Sequence, residues 1–238
     1  MHRRLNLLPK EAYNASHMGR GLSFAPGEFY HIYNRGTDKR RVFCDTYDYR
    51  RFLALLYICN QNKRVELTKS GITNVFTTIR IGEPLVHIVA YCLMPNHFHL
   101  VLKENIEGGI SLFMQKVTTA HTMHFNKRNG RTGALFEGSF KARYIDNDLY
   151  FKYLIAYIHL NPIKLIEPHW KETGISDHIR ACAYLDRYVY SSYLDYNGNE
   201  RHERAILDMT MLPAYFDSTD FKSCVTEWLN HNIPPEEV

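Results

Sequence analysis

Residues 27–36, "GEFYHIYNRG", alternate in polarity, are rich in aromatics and carry glycine at both ends, the pattern of a strand. A basic loop, "TDKRRVFCD", follows. Over 46–60, Tyr49, Phe52, Leu53, Leu56 and Tyr57 recur at helical spacing, with Thr46 as the expected N-cap. Residues 61–84 are less regular, and "VFTTIRIG" within them reads as a strand or part of a hairpin. "PLVHIVAYCLMP" (84–95) and "HFHLVLKE" (97–104) are two strands joined by the turn pair Pro95-Asn96. A helix is expected at about 111–128, with Ser111 as N-cap and Phe113, Met114, Val117 and Phe125 as its apolar face. "FKARYID" (140–146) is a short strand. Residues 147–161 form a helix capped by Asp146 or Asn147 and stopped near Asn161 by Pro162.

This order of strand, helix, paired strands, helix, strand and helix predicts an α+β fold. A ferredoxin-like antiparallel sheet carries helices packed on it. Residues 163–198 read as irregular or mixed, and 201–232 as one or two small helices. The expected organisation is an arm over 1–26, either flexible or partly a cloning remnant, a main domain over 27–198, and an acidic helical extension over 199–238.

Charge sharpens this division. Residues 1–51 hold ten Lys or Arg against five acids, and 116–143 hold six against one, whereas the chain from Asn199 onward holds eight acids against three basic residues. A basic body with an acidic tail suits a polyanionic partner and equally describes a mixed solvated surface. The five cysteines are scattered, odd in number and without a C-x-x-C pair, so the expected setting is reducing and cytoplasmic. No apolar run reaches the roughly 20 residues of a membrane helix, so no membrane partner is expected.

Alternation puts His97 and His99 on one strand face, with Cβ atoms roughly 7 Å apart, and turns Phe98, Leu100 and Leu102 to the other, toward a helix-packed core. Two imidazoles so spaced suit one metal ion, a phosphate-handling motif, or two histidines facing water. Val101 stands where a histidine-triad hydrolase would have its third histidine, and nothing after His99 supplies further amidohydrolase-type ligands. The helix at 147–161 offers a complement. Tyr157 and Asn161 are i and i+4 on one face, with Tyr150 and Tyr153 close to it. A phenol attacks a phosphodiester once its proton is lost, and an amide oxygen joins two imidazoles on a divalent ion.

"LMPNHFHLVLKE" followed by "AYIHLNPIK" resembles the REP-associated tyrosine transposases of the single-tyrosine HUH nuclease superfamily. "YHIYNRGTDKRRVF", "SLFMQKVTTAHTMHFNKRNGRTGALFEGSFKARYID" and "YVYSSYLDY" match in the same order, so the resemblance spans about 27–198. It implies that His97, His99 and Asn161 hold Mg2+ or Mn2+, and that Tyr157 attacks DNA to leave a 5′-phosphotyrosine and a free 3′-OH. The ion rests on the resemblance, because imidazoles suit Zn2+ as well. The implied substrate is single-stranded DNA with a REP-like hairpin, handled by a nucleoid-associated monomer or homodimer. Arg35, Lys39, Arg40, Arg41, Lys127, Arg128, Arg131, Lys141 and Arg143 are the expected phosphate contacts. Tyr30, Tyr33, Phe136 and Phe140 are the candidate base-stacking residues, and His31 and His159 are read as structural. The long 61–84 segment and the Val189-Tyr190 pair, where the family often has Trp before Ser-Ser, depart from the pattern. Two other readings stand beside this one: a domesticated protein that binds hairpins or promoters without cutting, and a metal-dependent phosphoesterase acting on small nucleotides.

Overall fold

The computed structural model describes residues 23–63, 75–77, 82–213, 216 and 221–227. Strand β1 (Phe29–Arg35) leads to helix α1 (Thr46–Ile58), the paired strands β2 (Val86–Met94) and β3 (His97–Glu104), helix α2 (Gly109–Arg128) and strand β4 (Lys141–Tyr144). The four strands form one sheet in the order β2-β3-β1-β4, all neighbours antiparallel. This is the α+β, ferredoxin-like arrangement expected from the element order. Helix α3 (Asp148–Leu160) follows, and then the short helices α4 (Trp170–Thr173), α5 (His178–Leu185), α6 (Tyr193–Tyr196) and α7 (Phe221–Glu227).

Both faces of the sheet are covered. Ile32, Phe98, Leu100 and Leu102 pack with α1 and α2, where Phe113, Met114, Val117 and Phe125 are all buried. Val89, Cys92, Met94 and Val101 pack with α3 on the opposite face. A register shift between Ile88 and Ala90 switches the layer to which the even-numbered residues of β2 belong. Val86 and Ile88 join the first cluster, and Ala90, Cys92 and Met94 join the second. The histidine face therefore differs from the polar face that alternation suggests. Helix α3 is buried almost all round, so it roofs that face as a second core.

Two helix starts also differ from expectation. Asp45, not Thr46, caps α1, its side chain accepting a hydrogen bond from the Asp48 N–H. Helix α2 begins at Gly109 rather than Ser111. Its first N–H groups are held by the Glu104 carboxylate, which accepts from Gly109 at 3.1 Å and Ile110 at 2.7 Å. A side chain at Gly109 would place its Cβ 2.2 Å from the Leu85 carbonyl oxygen, so glycine is required there. Asn147 caps α3 as expected. Pro162 ends the α-helix at Leu160, and the chain continues as a 3-10 turn over Asn161–Leu165. Of "VFTTIRIG", residues 75–77 form a 3-10 turn rather than a strand, and 78–81 lie outside the described residues.

The segment after α5 docks along the free edge of β2. Leu93 N–H donates to the Tyr190 carbonyl, and Ser192 N–H to the Tyr91 carbonyl. His159 of α3 joins this seam, with Nδ1 donating to the Ile155 carbonyl and Nε2 accepting from Ser192 Oγ. That is the structural role assigned to it. The described residues that follow Asn199 stay on the same body. Arg201 pairs with the buried Asp195, Ile206 joins the α1–α2 core, and the Asp208 carboxylate bonds the His87 ring. Residues 1–22 of the arm and most of 214–238 lie outside the described residues.

Candidate active site

The sheet register assembles the site. Tyr33 pairs with His99 and Lys141, Arg35 with His97, and His31 with Val101 and Arg143, and directly paired residues share a face. His97 and His99 thus lie on the same face as His31, Tyr33, Arg35, Lys141 and Arg143. Tyr30, Ile32, Phe98 and Leu100 occupy the opposite face.

Each imidazole of the pair is held by a different neighbour. His97 Nδ1 lies 2.7 Å from Asn96 Oδ1, which accepts only, so Nδ1 carries the proton and Nε2 the lone pair. Asn96 Nδ2 in turn donates to the Lys39 carbonyl at 3.3 Å, tying the histidine to the basic loop. His99 Nδ1 lies 2.9 Å from His31 Nε2, and the two rings stack. His99 Nε2 is buried and has no hydrogen-bond partner among the described residues. Such an orphaned nitrogen is costly unless its lone pair serves a ligand.

Burial, reinforced by the positive charge of Lys164, Lys171 and Arg35, pushes His97 down to about 3, partly opposed by the neighbouring Asn161 side chain. Burial, with His97, His31 and Lys171 nearby, pushes His99 well down. Both rings are therefore neutral at ordinary pH, the state a metal ligand needs.

Helix α3 supplies the remaining residues. Tyr157 is 1% exposed and its ring meets His99 edge-on at 5.6 Å between centroids. Asn161, one turn on, is buried, donates through Nδ2 to the Tyr157 carbonyl at 3.3 Å, and lies beside His97. Lys171 Nζ donates to Tyr157 Oη at 2.9 Å and lies 4.1 Å from the centre of its ring. Tyr153 flanks Tyr157, and the Arg143 guanidinium lies 4.1 Å from the centre of the Tyr150 ring. Two neutral imidazoles and an amide, one imidazole nitrogen buried and orphaned, make a set that fits a divalent ion. Among the described residues no three His, Cys, Asp or Glu are placed to hold a metal ion, so the third donor would be the Asn161 amide.

The expected phosphate contacts divide into groups. Arg35, Lys141 and Arg143 share the site face, where Arg35 pairs with Glu137 at 3.0 Å. Lys39 and Arg41 are exposed on the adjoining loop, where Asp38 and Lys39 adopt left-handed backbone. Arg40 bonds the Thr37 carbonyl and Asp38. Lys127 is exposed at the end of α2, away from the histidine pair in sequence and sheet. Arg128 is engaged by Asp45 and Asp48 and bridges the end of α2 to the start of α1, and Arg131 bonds Asn126 and the Ala134 carbonyl. Among the stacking candidates, Tyr30 and Phe136 are core residues, Phe140 packs on Phe24, and Tyr33 stacks on His31 within the site. Sequence reading missed two contributors. His31 alternates with Tyr33 and Arg35 on β1, a signal that it shares their face. Lys171 lies ten residues beyond Asn161 in an irregular stretch and gives no periodic signal.

A transposase family described as "Transposase IS200 like" matches residues 29–161, from the first residue of β1 to Asn161. A solved structure of a REP-associated tyrosine transposase bound to a REP hairpin is 13% identical, covering 79% of this chain and 90% of that one, with a TM-score of 0.46. No curated protein matches the chain.

Proposed function

This chain belongs to the IS200-like transposase family, and from that footing we propose that it is a metal-dependent single-stranded DNA endonuclease and strand transferase. It cleaves beside DNA hairpins through a covalent 5′-phosphotyrosine. One observation carries the reading: Tyr157, Asn161, His97 and His99 converge within a single chain, with His99 Nε2 buried and orphaned.

His97 and His99 would hold Mg2+ or Mn2+ through Nε2, and Asn161 through its amide oxygen. When bound, the ion polarises the scissile phosphate and stabilises charge on its oxygens. All three donors are neutral, and Arg35, Lys164 and Lys171 act on the same spot. Glu137 pairs with Arg35, which leaves Lys164 and Lys171 as an excess of positive charge that a phosphodiester balances. Tyr157 attacks phosphorus through Oη, the 3′-oxygen leaves, and a later 3′-OH reverses the step without ATP. Arg143, Lys141 and Arg35 line the same face and guide the backbone to it, while Lys39 and Arg41 extend the basic track.

The test uses hairpin-bearing single-stranded oligonucleotides from the flanks of the encoding gene, with Mg2+ or Mn2+. The wild-type protein forms an adduct stable on a denaturing gel, and Tyr157→Phe does not. Adduct formation by Tyr157→Phe removes Tyr157 as nucleophile. Hairpin binding without an adduct under either metal supports instead a domesticated protein that binds without cutting.

A further inference from the structure

We infer that Lys171 is a catalytic residue of the strand-cleavage step, its ammonium group stabilising the Tyr157 oxygen as that oxygen becomes the nucleophile and, in reversal, the leaving group. The inference rests on the reading of Tyr157 above and deepens it. Lys171 lies beyond residues 29–161, so the family match says nothing of it.

The geometry is specific. Lys171 Nζ is 2.9 Å from Tyr157 Oη, within hydrogen-bond reach, and 4.1 Å from the ring centre, so the cation faces both the oxygen and the π-cloud. Its backbone is anchored: Trp170 is 3% exposed in the core beneath α3, and the Trp170 N–H donates to the Glu167 carbonyl. Helix α4 thus brings the ammonium group to the Tyr157 oxygen. The charge of Lys171 also bears on His97 and His99. A charge fixed where negative charge develops stabilises the transition state without reorganisation.

In the step itself, the phenol proton leaves to water. The Oη–P bond forms as the P–O3′ bond breaks, and the departing 3′-oxygen takes a proton from water. Lys171 keeps its protons throughout and supplies charge only.

The test compares the full chain with Lys171→Met, which keeps the stem, and Lys171→Arg, which keeps the charge and cannot act as a base at neutral pH. The single-turnover rate of adduct formation is measured at saturating hairpin DNA and Mn2+, alongside hairpin Kd and Tm. The rate of adduct resolution by an added 3′-OH strand is measured as well. Lys171→Met is expected to slow both adduct formation and resolution by about 100-fold, with Kd and Tm unchanged, and Lys171→Arg to recover most of the loss. If Lys171→Met destabilises the fold, Lys171→Gln takes its place in the same comparison. Rates within threefold of wild type for the uncharged variant overturn the inference. So does a Lys171→Arg variant as slow as Lys171→Met, since that identifies a proton acceptor rather than a fixed charge. Absence of a wild-type adduct overturns the Tyr157 reading and this inference together, whereas a wild-type adduct with no Lys171 effect removes only the latter.

Discussion

His31 Nε2 lies 2.9 Å from His99 Nδ1, and this bond orients the ring whose other nitrogen is buried without a partner. If His99 Nδ1 donates, its Nε2 lone pair is free for a metal, the arrangement in which an outer residue fixes a ligand's tautomer. His31→Phe keeps the ring volume and removes that support. It is expected to weaken Mn2+ binding about 10- to 100-fold, read by calorimetric titration in the presence of hairpin DNA. Unchanged affinity would return His31 to a purely packing role.

Arg201 holds a second buried relationship. It pairs with Asp195, which is fully buried, donates to the Ser191 carbonyl at 2.6 Å, and reaches the Tyr91 hydroxyl at 2.7 Å. Removing one partner of a buried pair strands the other. Arg201→Met is expected to cost about 3–5 kcal/mol in urea unfolding. A loss below about 1 kcal/mol would show that the pair behaves as an exposed one.

Arg128 and Arg143 are both basic but differ in surroundings. Arg128 is engaged by Asp45 and Asp48, whereas Arg143 lies on the site face over Tyr150. Arg143→Ala is expected to weaken binding of single-stranded DNA and to reduce its salt slope by about one. Arg128→Ala is expected to leave the salt slope alone and to lower Tm by a few degrees, because Asp48 loses its charged partner. Fluorescence anisotropy across a salt series, with thermal melts, separates the two, and equal salt slopes for both variants would contradict the division.

His121 gives the fold a pH dependence. Burial pushes it down to about 4, partly opposed by its bond to the Val42 carbonyl. Asp48 also raises it, while Arg51 and His124 lower it. A folded-state value below the unfolded one means that the unfolded chain binds the proton first. Stability is therefore whole above about pH 6.5 and falls as the pH drops toward 4, with a limiting loss of about 3 kcal/mol from this group. His121→Gln, which keeps a donor for Val42, is expected to reduce the loss of urea-unfolding stability between pH 6.5 and 4, the remainder coming from His97, His99 and His159, which burial also pushes down. An undiminished slope would assign the loss to other groups.

The element order was legible because each element carries its own period. Alternation marked β3, and the spacing of Tyr49, Phe52, Leu53 and Leu56 marked α1. The caps were less legible. Thr46 and Ser111 have the right chemistry, but Asp45 lies one residue earlier, and Glu104 reaches α2 from the end of the preceding strand. Arg128 read as a phosphate contact because charge along a sequence does not show which carboxylates face it. Asp45 and Asp48, about eighty residues earlier, settle its surroundings.

Local periodicity by itself determined that His97 and His99 share a strand face, that Tyr157 and Asn161 share a helix face, and that the elements follow a ferredoxin-like order. Those relations hold over two to four residues and follow from backbone geometry alone. Only the tertiary structure decided that α3 roofs the histidine face, that His31 orients His99 across 68 residues, and that Lys171 meets the Tyr157 oxygen. Sheet register and helix packing create these contacts. They arise from burying apolar surface on both faces of one sheet, a property of the whole chain that no short stretch carries.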